Sequence, residues 1–397
     1  MSEVTVKLMD QLGVGIGYQP KEKKRDHLLK YTPKQEELPS RSMKDSYISA
    51  IIPLRTDKSM QEKYVNQIGT IRLGRLIEAM DFFAVWVCQQ YVKIPNLPPE
   101  EHLPYIFMTI IVDRMHILGQ LPSYDKDLRI SGYVTWVGRT SLEVSVWVHL
   151  IKDEKISKIT HANFVMAARN ATNTGSAPVN PLKIETNEEK KLSNEAKARR
   201  KLRQESQKAS IWQKKPTQEE HDLIYDFVEK TTDKQTLELN KRILPENGRW
   251  MSDSFALNNI MSFPENRNAQ NTAFGGFLMR NALEISHITA FKHCKARPKL
   301  EYAFEFSFDK PVAIQSMLRM LGYVIYVEKN YMLVMAINDV LEPTTAQKIT
   351  SNVSYFIFSC SSNVQQIYPR SYHEALLYIH GQRKFRNANL ISQPINP

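Results

Sequence analysis

Ile71-Arg72-Leu73-Gly74-Arg75-Leu76-Ile77-Glu78-Ala79-Met80-Asp81 opens one apolar helical stretch, and Ala273-Phe274-Gly275-Gly276-Phe277-Leu278-Met279-Arg280 opens another roughly two hundred residues later. In the first stretch Leu73, Leu76, Ile77, Met80, Ala84, Val87 and Cys88 fall three or four residues apart, the spacing of a helix with a broad buried stripe. Each helix is followed, after a loop, by alternating segments that read as antiparallel strands: 105–117, 127–137, 141–150 and 160–169 in the first half, and 300–308, 316–327, 331–340 and 350–359 in the second. An opening strand is expected at 47–54 and its counterpart at 250–263. The chain therefore reads as one α+β unit duplicated, each copy a long apolar helix wrapped by an antiparallel sheet. Two such copies facing each other create a shared cleft, a common seat for chemistry.

Around these copies the organisation is simple. Residues 1–42 read as a polar N-terminal extension, 43–175 as the first copy, 176–245 as a charged helical linker, 246–365 as the second copy and 366–397 as a surface tail. A length of 397 residues and an apolar share of 42% suit two ordinary cores. Gly13-Val14-Gly15-Ile16-Gly17 has the glycine spacing of a dinucleotide loop, but Tyr18-Gln19-Pro20 stands where the helix should begin. Cys88, Cys294 and Cys360 are too few and too scattered for a disulfide framework or zinc site, and an odd count suits a reducing compartment. No run of eighteen apolar residues occurs, so no membrane span is expected, and the N-terminus shows neither a secretory core nor an Arg-rich presequence.

The formal charge of +11 raises the question of nucleic acid. Much of the excess sits between Lys190 and Lys208, interleaved with Glu188, Glu189, Glu195 and Glu205, and reads as a solvated linker helix, so no nucleic-acid partner is expected.

Asp81 lies on the buried stripe of the first helix, where a carboxylate must be paired, protonated or used. Glu78 falls nearer the polar side and reads as solvated, and Glu284 reads as a local partner of Arg280 on an exposed face. The Gly275-Gly276 pair opens the second helix after the polar loop 265–272, exposing backbone N–H groups where the helix dipole favours negative charge. That is either oxyanion-hole machinery or simply a flexible helix start. No Gly-x-Ser-x-Gly elbow, His-Glu-x-x-His, Walker loop or cysteine metal pair is present, and His287 and His293 do not share a helix face.

Gly275-Gly276-Phe277-Leu278-Met279-Arg280, Lys310-Pro311-Val312, the stretch from Ser131 to Val144 with its Trp136, and Arg72-Leu73-Gly74-Arg75-Leu76-Ile77-Glu78 together resemble the double-hotdog acyl-coenzyme A thioesterases, over about residues 43–385. The resemblance implies two tandem hotdog domains paired as a pseudo-dimer, assembly of three chains into a ring, a mitochondrial location with the cytoplasm as alternative, and hydrolysis of fatty acyl-coenzyme A without a metal or cofactor. It further implies a site joining an Asp on one helix to an Asn in the loop before the other. With Gly74 aligned to Gly276, the Asp falls on Asp81 and the Asn on Asn268, with Asn271 as fallback. Asp81 would act as base or nucleophile, while the N–H groups of Gly275 and Gly276 would hold the oxyanion. Leu283 occupies the position matching Asp81 in the second copy, so one working site per chain is expected, although Asn66 sits near the mirrored asparagine position. Arg139, Thr140, Ser141, Arg267, Lys329 and Asn330 are the candidates for binding coenzyme A phosphates. The alternatives are hydration of an acyl-coenzyme A on the same fold, or an acyl-coenzyme A binder or sensor without activity.

Overall fold

The computed structural model describes residues 25–391 apart from 118–120, 153–154, 209, 237, 239–240, 269–270, 309 and 343. The glycine-rich segment at 13–17 lies outside the described residues. Ten strands make one antiparallel sheet. The first half supplies β1 (Ile48–Ile52), β2 (Tyr105–Ile117), β3 (Leu128–Val137), β4 (Ser141–Lys152) and β5 (Lys155–Asn170). The second half supplies β6 (Phe255–Met261), β7 (Lys299–Phe308), β8 (Met317–Glu328), β9 (Tyr331–Leu341) and β10 (Lys348–Ser359). Across the sheet the order is β1-β3-β4-β5-β2-β7-β10-β9-β8-β6, a palindrome whose centre is the β2–β7 pair.

Each half wraps its sheet around one long helix, Leu73–Tyr91 in the first and Gly275–Cys294 in the second. Leu76, Met80, Ala84, Val87, Cys88 and Tyr91 are all fully buried, as the spacing requires of a helix facing a concave sheet. The two helices touch along their N-terminal halves and run antiparallel: Arg72 meets Glu284, Glu78 meets Arg280, and Asp81 meets Gly276. Gly74 and Gly276 make this crossing possible. A Cβ on Gly74 would lie 2.8 Å from Glu284 Oε1, and one on Gly276 would lie 2.9 Å from the Glu78 Cα.

Several expectations change. Glu284 is not paired with Arg280; it pairs with Arg72 across the two helices at 2.7 Å, and Arg280 pairs with Glu78 at 3.0 Å. Glu78 is accordingly held between Arg75 and Arg280 instead of standing free in solvent. The second copy opens with two short strands, Gly248–Trp250 and Phe255–Met261, and the first of these pairs in parallel with Gln366–Tyr368. The segment after it is a helix, Tyr372–Ile391, whose Ile379 and Phe385 are buried, so it belongs to the second core instead of forming a surface tail.

The basic linker helix, Asn187–Lys208, also docks. Arg199 reaches Glu143 at 2.5 Å and Arg203 reaches Asp113. Glu143 alternates with Leu142 and Val144 on β4 and so points to the sheet face opposite the central helix. It is only 1% exposed, and a carboxylate buried to that degree needs a compensating cation. Part of the positive excess is thus internal.

Candidate active site

Neither central helix has a capping side chain at its N-terminus: Arg72 and Phe274 make no side-chain cap hydrogen bond. Free N–H groups at that end need partners, and in the second helix one partner comes from the other half of the chain. The Gly276 N–H donates to Asp81 Oδ2 at 2.6 Å, and the Thr109 hydroxyl on β2 donates to Asp81 Oδ1 at 2.6 Å. Asp81 is 1% exposed, in the middle of the buried stripe. The carboxylate and the helix terminus assigned to one site from sequence are therefore joined directly.

Burial pushes the Asp81 carboxyl up to about 6; the Thr109 and Gly276 hydrogen bonds pull against that rise, and nearby Glu78 adds to it. A carboxyl poised there is ionised at neutral pH yet basic enough to take a proton. Gly275 is pressed against it, since a Cβ at that position would lie 3.1 Å from Asp81 Oδ2.

Asn268 lies in the loop leading to this helix. Its side-chain amide donates to Thr272 Oγ1 at 2.8 Å, and its oxygen accepts the Thr272 N–H at 3.2 Å. The same device recurs in the first copy, where Asn66 donates to Thr70 Oγ1 at 2.7 Å and accepts the Thr70 N–H at 3.1 Å. Each asparagine thus shapes the approach to its own glycine-bearing helix. Arg267 sits in the second loop and bridges backbone to backbone with Ala273.

The remaining candidates divide between the two halves. Arg139, Thr140 and Ser141 form the β3–β4 turn; Ser141 lies opposite Ala167, which lies opposite Met108, the neighbour of Thr109. That turn is on the Asp81 side. Lys329 and Asn330 form the β8–β9 turn, where Tyr331 lies opposite Ser359 and Ser359 opposite Lys299. They belong to the mirrored end of the molecule and not to the Asp81 site. The Gly276 N–H also departs from expectation, because it is engaged by Asp81 itself and is not an open oxyanion donor. Thr109 was not foreseen: a lone threonine in an alternating strand carries no signal that its hydroxyl meets a carboxylate from a helix.

Among the described residues no cluster of His, Cys, Asp and Glu could hold a metal ion, and no helix is long and apolar enough to cross a membrane. No family profile matches the chain. It is 34% identical over 353 residues to bovine (Bos taurus) mitochondrial acyl-coenzyme A thioesterase 9, covering 89% of this chain and 80% of that protein. The mouse (Mus musculus) protein of that name is also 34% identical, over 97% of this chain and 88% of its own. Among solved structures, an acyl-CoA hydrolase from Staphylococcus aureus, in complex with butyryl coenzyme A, coenzyme A and coenzyme A disulfide, is 28% identical over 36% of this chain and 93% of that one, with a TM-score of 0.34. By its likeness to the bovine and mouse proteins, the chain belongs to the acyl-coenzyme A thioesterase 9 family.

Proposed function

We propose that this chain hydrolyses fatty acyl-coenzyme A to a free acid and coenzyme A, at one site per chain built from both halves. The observation that carries the reading is the contact of buried Asp81 with the N-terminus of the opposite helix through Gly276. Asp81 takes a proton from water as its oxygen attacks the thioester carbonyl carbon. The oxyanion is received by the Gly275 N–H and by the side-chain amide of Asn268, which its two contacts with Thr272 hold in place. Collapse expels the coenzyme A thiolate, a good leaving group that needs no metal or cofactor. Arg139, Thr140, Ser141 and Arg267 are the proposed contacts for the coenzyme A phosphates.

A base role and a nucleophile role for Asp81 differ in where oxygen goes. In a single turnover with excess enzyme in 18O-labelled water, base catalysis puts the label only in the released acid, whereas label found in Asp81 identifies attack by its carboxylate followed by opening of the anhydride at the Asp81 carbonyl. The reaction itself is tested by trapping thiol released from acyl-coenzyme A. A hydrolase releases thiol, a hydratase changes acyl absorbance without releasing it, and a binder does neither; the last two outcomes would refute the proposal. Like its relatives by name, the protein is proposed to reside in mitochondria, which fractionation tests. Three chains are proposed to assemble, which light scattering tests.

A further inference from the structure

The pseudo-twofold that builds the Asp81 site also builds a counterpart, and the counterpart is hollow. A cavity of about 780 Å3 lies beside Asn66, Thr70 and Gly74, the positions that mirror Asn268, Thr272 and Gly276. The helix alignment puts Leu283 where the first copy has Asp81. The strands give the same correspondence independently. β2 slips register against β5 between Thr109 and Ile111, and β7 slips against β10 between Leu300 and Tyr302, so Leu300 stands where Thr109 does. Leu283, Leu300 and Phe358 line the cavity, so its wall is apolar where the other site carries a carboxylate and a hydroxyl.

Next to that wall the polarity reverses as well. On the Asp81 side, Phe82 and Phe274 meet edge to face at 5.6 Å; the mirrored positions hold Glu284 and Arg72, ion-paired at 2.7 Å and lining the cavity. Arg297 and Lys299 line it too and are exposed, with Lys299 beside Glu301 at 3.1 Å. The result is a space with an apolar wall and cations at its rim; His287, one turn after Leu283, lines it too with its ring edge to face against Phe358 at 6.0 Å, but no carboxylate stands at the Asp81-equivalent position.

We infer that this second pocket binds an acyl chain bearing an anionic head and holds it uncleaved. The inference rests on the reading of the Asp81 side as the hydrolytic site. The two sites share both helices: Gly74 borders the pocket two turns before Asp81, and Leu283 borders it two turns after Gly276.

The test uses the full chain and a thioether that cannot be hydrolysed, S-hexadecyl-coenzyme A, titrated by calorimetry. Two equivalents per chain are expected for the wild type. Leu283→Trp, which fills the pocket, should bind one and still turn over acyl-coenzyme A. Arg297→Glu changes an exposed side chain and should fold whatever becomes of Leu283→Trp; it should weaken the second equivalent about tenfold at low salt and leave the first alone. Titration with palmitate separates the sources: occupancy sensitive to Leu283→Trp identifies the free acid as a ligand, whereas occupancy by the thioether alone identifies the intact thioester. One equivalent in the wild type, or a second equivalent indifferent to Arg297→Glu, would overturn the inference. Thiol release by the wild type keeps the two readings apart: release with a single equivalent bound sinks the pocket alone, and two equivalents without release sinks the hydrolytic reading alone.

Discussion

Replacing Asp81 by asparagine should make this protein inactive and more stable at the same time. The side chain keeps its shape, and its oxygen can still accept the 2.6 Å hydrogen bond from Gly276 while the amide donates toward Thr109. What disappears is the cost of ionising a buried acid. Burial lifts the carboxyl from its ordinary 3.8 to about 6, so the folded protein gives up the Asp81 proton less readily than the unfolded chain does. At 1.36 kcal/mol per pH unit of difference, the wild type forfeits about 3 kcal/mol of stability once the pH exceeds 6. The sign follows from the raised value: below pH 3.8 the acid is protonated in both states and nothing is lost, and the deficit accumulates between 3.8 and about 6. The amide has no proton to give up and carries no such deficit. Denaturant unfolding of wild type and Asp81→Asn at pH 4 and pH 7.5 should give curves that nearly coincide at the lower pH and separate by about 3 kcal/mol at the higher, with the variant the more stable. Thiol release should be nearly abolished in the variant at both. A variant that is less stable at pH 7.5, or a gap that closes as pH rises, would refute the account of Asp81 as a destabilised, ionisable base.

Thr109→Val removes a hydrogen bond to the ionised carboxylate and should shift the acid limb of the kcat/KM profile to higher pH, so that turnover falls more at pH 6 than at pH 9; a limb that stays put would show that Thr109 does not tune Asp81. Wild-type kcat/KM should itself climb with pH through about 6 and then level off, read from initial rates across pH 5 to pH 9. Gly276→Ala places a methyl 2.9 Å from the Glu78 Cα, forces the two helices apart, and should cost about 1–3 kcal/mol in denaturant titration along with most of the activity. Arg199→Ala strips the 2.5 Å partner from Glu143 and should lower stability by roughly 3 kcal/mol, as measured by chemical denaturation, with the catalytic pH profile unchanged.

The duplication was legible because each copy announces its helix with a glycine-bearing start and follows it with strands of regular alternation. Asp81 was legible for a related reason: helical periodicity puts it among Met80, Ala84 and Cys88, and a carboxylate in that company is conspicuous. Periodicity says which face is buried but not what lies against it. Glu284 therefore looked like a neighbour of Arg280, when its partner Arg72 lies more than two hundred residues away in the chain. The linker helix is polar enough to pass for solvated, and only the fold reveals that Glu143 and Asp113 await Arg199 and Arg203. The C-terminal helix was missed although Ala375, Tyr378 and Ile379 already fall at helical spacing, because the polar stretch after Gly381, broken only by Phe385, passes for a tail. The second pocket could not be inferred at all, since leucines facing a void and leucines facing a core look alike in one dimension.

Glu78 and Arg280 occupy the same position in the two copies, each one turn after its aligned glycine, Gly74 or Gly276, and they touch each other at 3.0 Å. A residue that meets its own counterpart stands on the symmetry axis. In an assembly of identical half-length subunits the same contact would set glutamate against glutamate or arginine against arginine. Opposite charges can stand there only when the two halves differ, and one chain that carries both supplies them in equal number. Each half severed from the other would thus lose this opposite-charge contact on pairing with itself, and Glu78 would keep only Arg75 of its own half; the covalent tether supplies the contact as well as the connection.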